Sequence, residues 1–141
     1  MADFDWARII KTLGAGIASI CTFLFGKPDF WLTSLAVLVI ADYASGVVAA
    51  YIKNELSSEV GFKGILKKTM YFFVVAVAHC VDVSTGASGV LQNLTIGFLM
   101  ANEGISILEN CAKCGIPIPE RLLKALAQIK GEEETNEDDE S

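Results

Sequence analysis

FWLTSLAVLVIADYASGVVAAYI, residues 30–52, carries a single charged residue, Asp42, in an otherwise apolar run. As a helix rising about 1.5 Å per residue it is about 34 Å long, enough for the roughly 30 Å hydrocarbon core of a bilayer. An acid at mid-span costs about 2.5 to 3.5 kcal/mol, while each Leu, Ile, Phe or Val returns about 0.3 to 0.6, so roughly ten such residues still carry Asp42 in. The stretch therefore predicts a membrane-spanning helix, and an all-α integral membrane protein around it.

Three more apolar runs flank it, at residues 9–26, 65–83 and 87–108, each long enough to span. Gly26, Lys27, Pro28 and Asp29 break the chain before residue 30, and the Ser/Thr/Gly turn at residues 83–86 separates the last two runs, so neighbouring spans are expected to be antiparallel hairpins. Residues 53–64 are polar and are expected to form an aqueous loop. Composition agrees, with 52% hydrophobic residues, 20% charged residues and a mean hydropathy of +0.47.

The net charge of -6 belongs to the end of the chain, because seven acids follow Gly131: Glu132, Glu133, Glu134, Glu137, Asp138, Asp139 and Glu140. Without them the body has 11 basic and 10 acidic residues, from the totals of 11 and 17. A nearly neutral body implies no nucleic-acid partner. With four spans and both termini cytoplasmic, ten cations lie inside (Arg8, Lys11, Lys53, Lys63, Lys67, Lys68, Lys113, Arg121, Lys124, Lys130) and Lys27 alone outside, the asymmetry that fixes membrane orientation. A three-span alternative, with residues 9–26 lying at the interface, moves Arg8 and Lys11 outside. Thr12, Gly14, Gly16 and Ser19 dilute that first run and keep the alternative open. Asp3 and Asp5 contradict the basic start of a signal peptide, and Ile20 before Cys21 does not fit a lipoprotein site.

Residues 1–112 thus form a transmembrane helical bundle. Beyond it, Pro117 and Pro119 precede Leu122, Leu123, Leu126 and Ile129, spaced as one face of a helix with Arg121, Lys124 and Lys130 beside it. Residues 113–130 are expected to be a short interfacial amphipathic helix, and residues 131–141 a disordered acidic tail.

Chemistry in such a protein concentrates in ionisable groups within apolar runs, which face the bundle interior or a wet cavity and find partners there. These are Asp42, His79, Asp82 and Glu103, the last next to Asn102. Asp42 and Glu103 fit functional and structural roles equally. Asp82 lies near the outer end of its span, where an interfacial position is expected, and its spacing of three from His79 predicts a satisfied pair. Ala41, Ala44, Ser45, Gly46, Ala49 and Ala50 form a small-residue face suited to close helix packing, between copies or within one. Cys111 and Cys114 have no second ligand pair of zinc-like spacing, and the four cysteines read as reduced thiols. With a single histidine and no phosphate loop or serine elbow, neither an enzyme nor a cofactor is expected.

Four stretches resemble the toxin-secretion and phage-lysis holin family: Asp42-Tyr43-Ala44-Ser45-Gly46; Leu56-Ser57-Ser58 with Gly61-Phe62-Lys63-Gly64-Ile65 and Lys67-Lys68; Asp82; and the run from Asn102-Glu103 through Ser106-Ile107-Leu108-Glu109-Asn110 to Gly115-Ile116-Pro117-Ile118-Pro119. They cover residues 40–125. The last run is the most specific, an acidic, Asn-bearing helix end followed by Gly-x-Pro-x-Pro. Ala44 and Ser45 depart from the family pattern, and the first segment has little resemblance. The resemblance implies a small protein of the bacterial cytoplasmic membrane that homo-oligomerises into lesions, releasing an endolysin or a toxin. A possible antiholin partner, an antiholin-like role for this chain and a small ion channel or transporter are the alternatives.

Overall fold

The computed structural model describes residues 5–130; the expected acidic tail lies outside the described residues. Five helices follow one another: α1 Trp6–Phe25, α2 Phe30–Ile52, α3 Ser58–Thr85, α4 Val90–Lys113 and α5 Glu120–Lys130. Local capping explains three of the starts. The Asp5, Asp29 and Ser57 side chains accept hydrogen bonds from the amides of Arg8, Leu32 and Val60, each satisfying an amide that the first helical turn leaves without a partner.

The Ser57 cap corrects the expected loop at residues 53–64. Much of it is the opening of α3, where Glu59 and Lys63 pair one turn apart at 2.8 Å. The break between α2 and α3 is correspondingly short and uses Asn54 at φ 56.

Buried residues recur every seventh position on α2, at Leu35, Asp42 and Ala49, a spacing that keeps them on one side of the helix. That side faces α4. Trp31 lies over Gly97 and Gly46 lies at Asn110, so α2 and α4 run parallel, with α3 antiparallel between their ends. Leu35, Val75, Ile96 and Leu99 form the apolar core, with Phe25, Leu32, Val39, Tyr71 and Met100 packed around it.

Among the described residues, three helices, α1, α2 and α3, are long and apolar enough to cross a membrane. The fourth expected span, α4, falls short on apolar content because Gln92, Asn93, Asn102, Glu103, Glu109 and Asn110 interrupt it. It is the best-covered helix, packed by α2, α3 and α5. In contrast, α1 has no buried residue, and Phe25 in its last turn packs against Phe72 of α3. Helix α5 folds back on α4, with Leu126 beside Gly104.

Candidate functional site

Two polar layers bracket the apolar core. The inward face of α3 supplies both, because residues 68, 71, 75, 79 and 82 follow at helical spacing: Lys68 and Tyr71 below Val75, His79 and Asp82 above it. At about 1.5 Å per residue, Lys68 and Asp82 lie about 21 Å apart along the helix.

The inner layer is charged. The Lys68 ammonium is held by Asp42 from α2 and Glu103 from α4. Glu103 is 1% exposed and Asp42 is 6% exposed, so two carboxylates share one cation away from water. Nearby, the Asn110 side-chain amide donates to Asp42 at 3.1 Å and to the Ser45 hydroxyl at 3.0 Å. Gly46 lies beside it, where a methyl group would stand at an ordinary contact distance of 3.5 Å from the Asn110 nitrogen. The Asn102 amide donates to the Tyr71 hydroxyl at 2.9 Å, and that ring's centroid lies 5.8 Å from the Lys68 nitrogen.

The outer layer works on backbone ends. No side chain of its own caps α4, which starts after Gly89 at φ 85. Instead Asp82 reaches over from α3 and accepts from the amides of Leu91 at 3.0 Å and Gln92 at 2.7 Å, where the helix dipole also favours a negative charge. His79 Nδ1 lies 3.0 Å from the Gln92 side-chain oxygen, and the Gln92 nitrogen donates to the Phe25 carbonyl at 2.8 Å. Phe25 packs edge-on against Phe72. Gly26 follows at φ 77, and a methyl group there would come within 2.9 Å of the His79 ring. This layer ties the end of α1 to the α3–α4 hairpin.

The residues singled out from the sequence are thus divided between two places. Asp42, Ser45, Glu103, Asn110 and Lys68 meet in the inner layer, Gly46 borders it, and Asn102 joins through Tyr71. His79 and Asp82 are in the outer layer, but not as the expected pair: both turn to Gln92 instead, His79 at its side-chain oxygen and Asp82 at its backbone amide, and Asp82 is buried as the cap of α4. Lys68, counted with the cytoplasmic cations in the sequence, is ion-paired to the two acids inside the bundle. Ser45, Gly46 and Ala49 pack within the chain, whereas Ala44 is exposed. Of the motif residues, Lys63, Lys67, Glu109, Pro117 and Pro119 are exposed, and Gly64 and Ser106 are half-buried. Gln92 and Tyr71 were missed, although Tyr71 shares the inward α3 stripe. Gln92 in the first turn of an apolar run is the signal for the other.

Among the described residues, no buried side-chain nitrogen or oxygen lacks a partner, and no cluster of three or more His, Cys, Asp and Glu side chains could hold a metal. A network closed in this way lets an apolar exterior meet lipid.

Residues 19–131 match the family model described as the bacteriophage holin family. An uncharacterised protein of Listeria monocytogenes is 40% identical over 134 residues, covering 92% of this chain and 95% of that one. An uncharacterised 14.9 kDa protein of Clostridium perfringens is 40% identical over 126 residues, 86% and 96% of the two chains. A protein of Bacillus phage phi105 named a probable holin is 36% identical over 121 residues, 84% and 89% of the two. No solved structure matches the chain.

Proposed function

The chain belongs to the bacteriophage holin family, and from that membership we propose that it accumulates in the bacterial cytoplasmic membrane as closed single copies. These then self-associate into lesions through which an endolysin reaches the cell wall. Both termini and the α2–α3 turn are cytoplasmic in this reading.

The observation that carries the proposal is the inner layer. Asp42, Lys68 and Glu103 satisfy one another within one copy, so a newly inserted chain offers lipid no unpaired charge and does no harm while it accumulates. Opening a lesion requires polar surface to face water, and this layer is a store of such surface held by three helices. Separating α2 from α3 and α4 exposes it.

Timed expression in bacteria tests the proposal, with membrane potential and culture density followed with and without a co-expressed endolysin. A holin gives an abrupt loss of potential after a delay, and lysis only when the endolysin is present. Graded, ion-specific flux from the start identifies a channel instead, and unchanged potential a regulator. Orientation is read separately: a cysteine at Ser57 should resist a membrane-impermeant thiol reagent applied outside intact cells.

A further inference from the structure

Helix α1 has two sides of different chemistry. At about 100° per residue, Arg8, Lys11, Thr12, Gly16, Ser19 and Thr22 fall within one arc of about 140°. Ile10, Leu13, Ile17 and Ile20 fall on the other side, and Phe23 ends the polar arc at its outer end. The helix is fastened to the bundle through Phe25, whose carbonyl accepts from Gln92 and whose ring meets Phe72. Residues 8–22 are all exposed. By contrast, exposed mid-span positions of α2 and α3 carry Val37, Ile40, Val47, Phe73, Val74 and Val77.

The polar side of α1 suits two surroundings. Its three hydroxyls donate to carbonyls of their own helix, Thr12 to Arg8 at 2.9 Å, Ser19 to Ala15 at 2.8 Å and Thr22 to Ala18 at 2.9 Å. Bonds of this kind leave no donor unmet, so lipid tolerates the face. Each hydroxyl oxygen still keeps lone pairs that water can reach. Polar groups on a membrane-spanning helix are expected to face the bundle interior or a water-filled cavity. In a single copy this face meets no bundle interior, because its residues are exposed.

We propose that the face of α1 carrying Arg8, Thr12, Ser19 and Thr22 lines the aqueous lesion formed by several copies, with Ile10, Leu13, Ile17 and Ile20 turned away from the water. The proposal rests on the lesion reading above and names the surface that meets water. Arg8 and Lys11 then stand at the cytoplasmic mouth. This polar surface is available before any helix of the bundle separates.

Gly14 and Gly16 test it in the otherwise native chain. A methyl group added at either meets nothing within 4 Å, so leucine fits both positions in a single copy and raises helix propensity equally at each. Gly16 is on the polar arc and Gly14 is not. Gly16→Leu should delay lysis severalfold or abolish it at parental membrane abundance, while Gly14→Leu lyses on schedule. Equal timing of the two overturns the proposal. Contact with water is read separately with single cysteines, Ala15→Cys against Ile17→Cys and Ser19→Cys against Ile20→Cys, in a chain whose four native cysteines are replaced by alanine. The members of each pair lie within about 3 Å in depth but point to different sides. A membrane-impermeant thiol reagent is applied to cells before and after the loss of potential, and to inverted vesicles from cells taken before it. Ala15→Cys and Ser19→Cys should react severalfold faster than their neighbours, and only after the loss. Should the cysteine-free chain not lyse, the glycine pair decides; should Gly16→Leu not accumulate, the cysteine pairs decide. The same preference already present before the loss means that α1 lies along the membrane surface, and it overturns the proposal. Four shielded positions in cells that lyse overturn it as well and leave the holin reading standing. A native chain that never dissipates the potential overturns the lesion reading and this inference with it.

Discussion

The outer and inner polar layers sit at opposite ends of one apolar core and are held together in different ways. In the outer layer the charged contact is near in sequence, Asp82 with the amides nine and ten residues on, where an acid meets the positive end of a helix, and only the neutral Gln92–Phe25 bond reaches across 67 residues. The inner layer joins three helices, with Lys68 and Glu103 separated by 35 residues and Asp42 and Asn110 by 68, and there formal charges meet one another. The Asp82 cap can form within a single hairpin. The inner layer exists only when α2, α3 and α4 are all in place and correctly turned. The Asp82 cap therefore belongs to the hairpin, whereas the inner layer depends on the arrangement of three helices.

Lys68→Met breaks this comparison most severely, because it leaves two carboxylates without their cation. Removal of one member of a buried ion pair costs on the order of 3 to 5 kcal/mol, so membrane abundance or thermal stability in detergent should collapse, with Lys68→Arg recovering much of the loss. A Lys68→Met protein as stable as the parent would show that the inner layer contributes little to closure.

Asp42→Asn comes next. It leaves the Lys68–Glu103 pair intact and removes the formal excess, with an expected stability change of about 1 to 2 kcal/mol. Blot abundance and lysis time measured in the same cultures separate two outcomes. Normal abundance with late or absent lysis assigns the carboxylate to lesion formation, whereas parallel loss of both assigns it to folding. Asp42→Leu lysing on schedule at normal abundance would remove the acid from the mechanism altogether.

Asp82→Ala sharpens the comparison from the other side. Loss of a helix cap costs about 1 kcal/mol, within a range of 0.5 to 2, and should lower thermal stability in detergent modestly with little change in the α2–α4 contact. A disulfide between cysteines placed at Trp31 and Gly97 reports that contact. If it disappears in Asp82→Ala, the layers are coupled rather than independent.

The smallest effect is expected from deleting residues 132–141, whose sequence is rich in acids and has no apolar residue. Lysis should persist with its onset shifted. Complete loss of lysis at normal membrane levels would place the tail in the lesion itself.

Much of this architecture was legible because hydropathy and turn chemistry act locally. The boundaries of α2 follow from Asp29 and its apolar run, and the buried acids announced themselves as charges where charge is costly. Pairings were harder to read. Lys68 looked like one more cytoplasmic cation because counting cations ignores the direction in which each points, yet its place on the 68, 71, 75, 79, 82 stripe marks it as inward. Asp82 and His79, three apart, suggested a pair, but an uncapped helix start nearby was the stronger claim on the carboxylate. The return of α5 onto α4 depends on the room left by Gly104, which its own sequence does not reveal. The inner layer as a whole depends on the relative rotation of three helices, a property no single segment encodes.

The order of synthesis gives the inner layer a history. At about 5 to 20 residues per second, Lys68 follows Asp42 out of the ribosome by roughly 1 to 5 s, and Glu103 follows by roughly 3 to 12 s. For that interval the acid of α2 waits in or beside the bilayer without the cation that will neutralise it, and the apolar surplus of its own helix must hold it there. The last of the three helices to emerge completes the layer, so each nascent chain passes through an open state before it becomes a closed one.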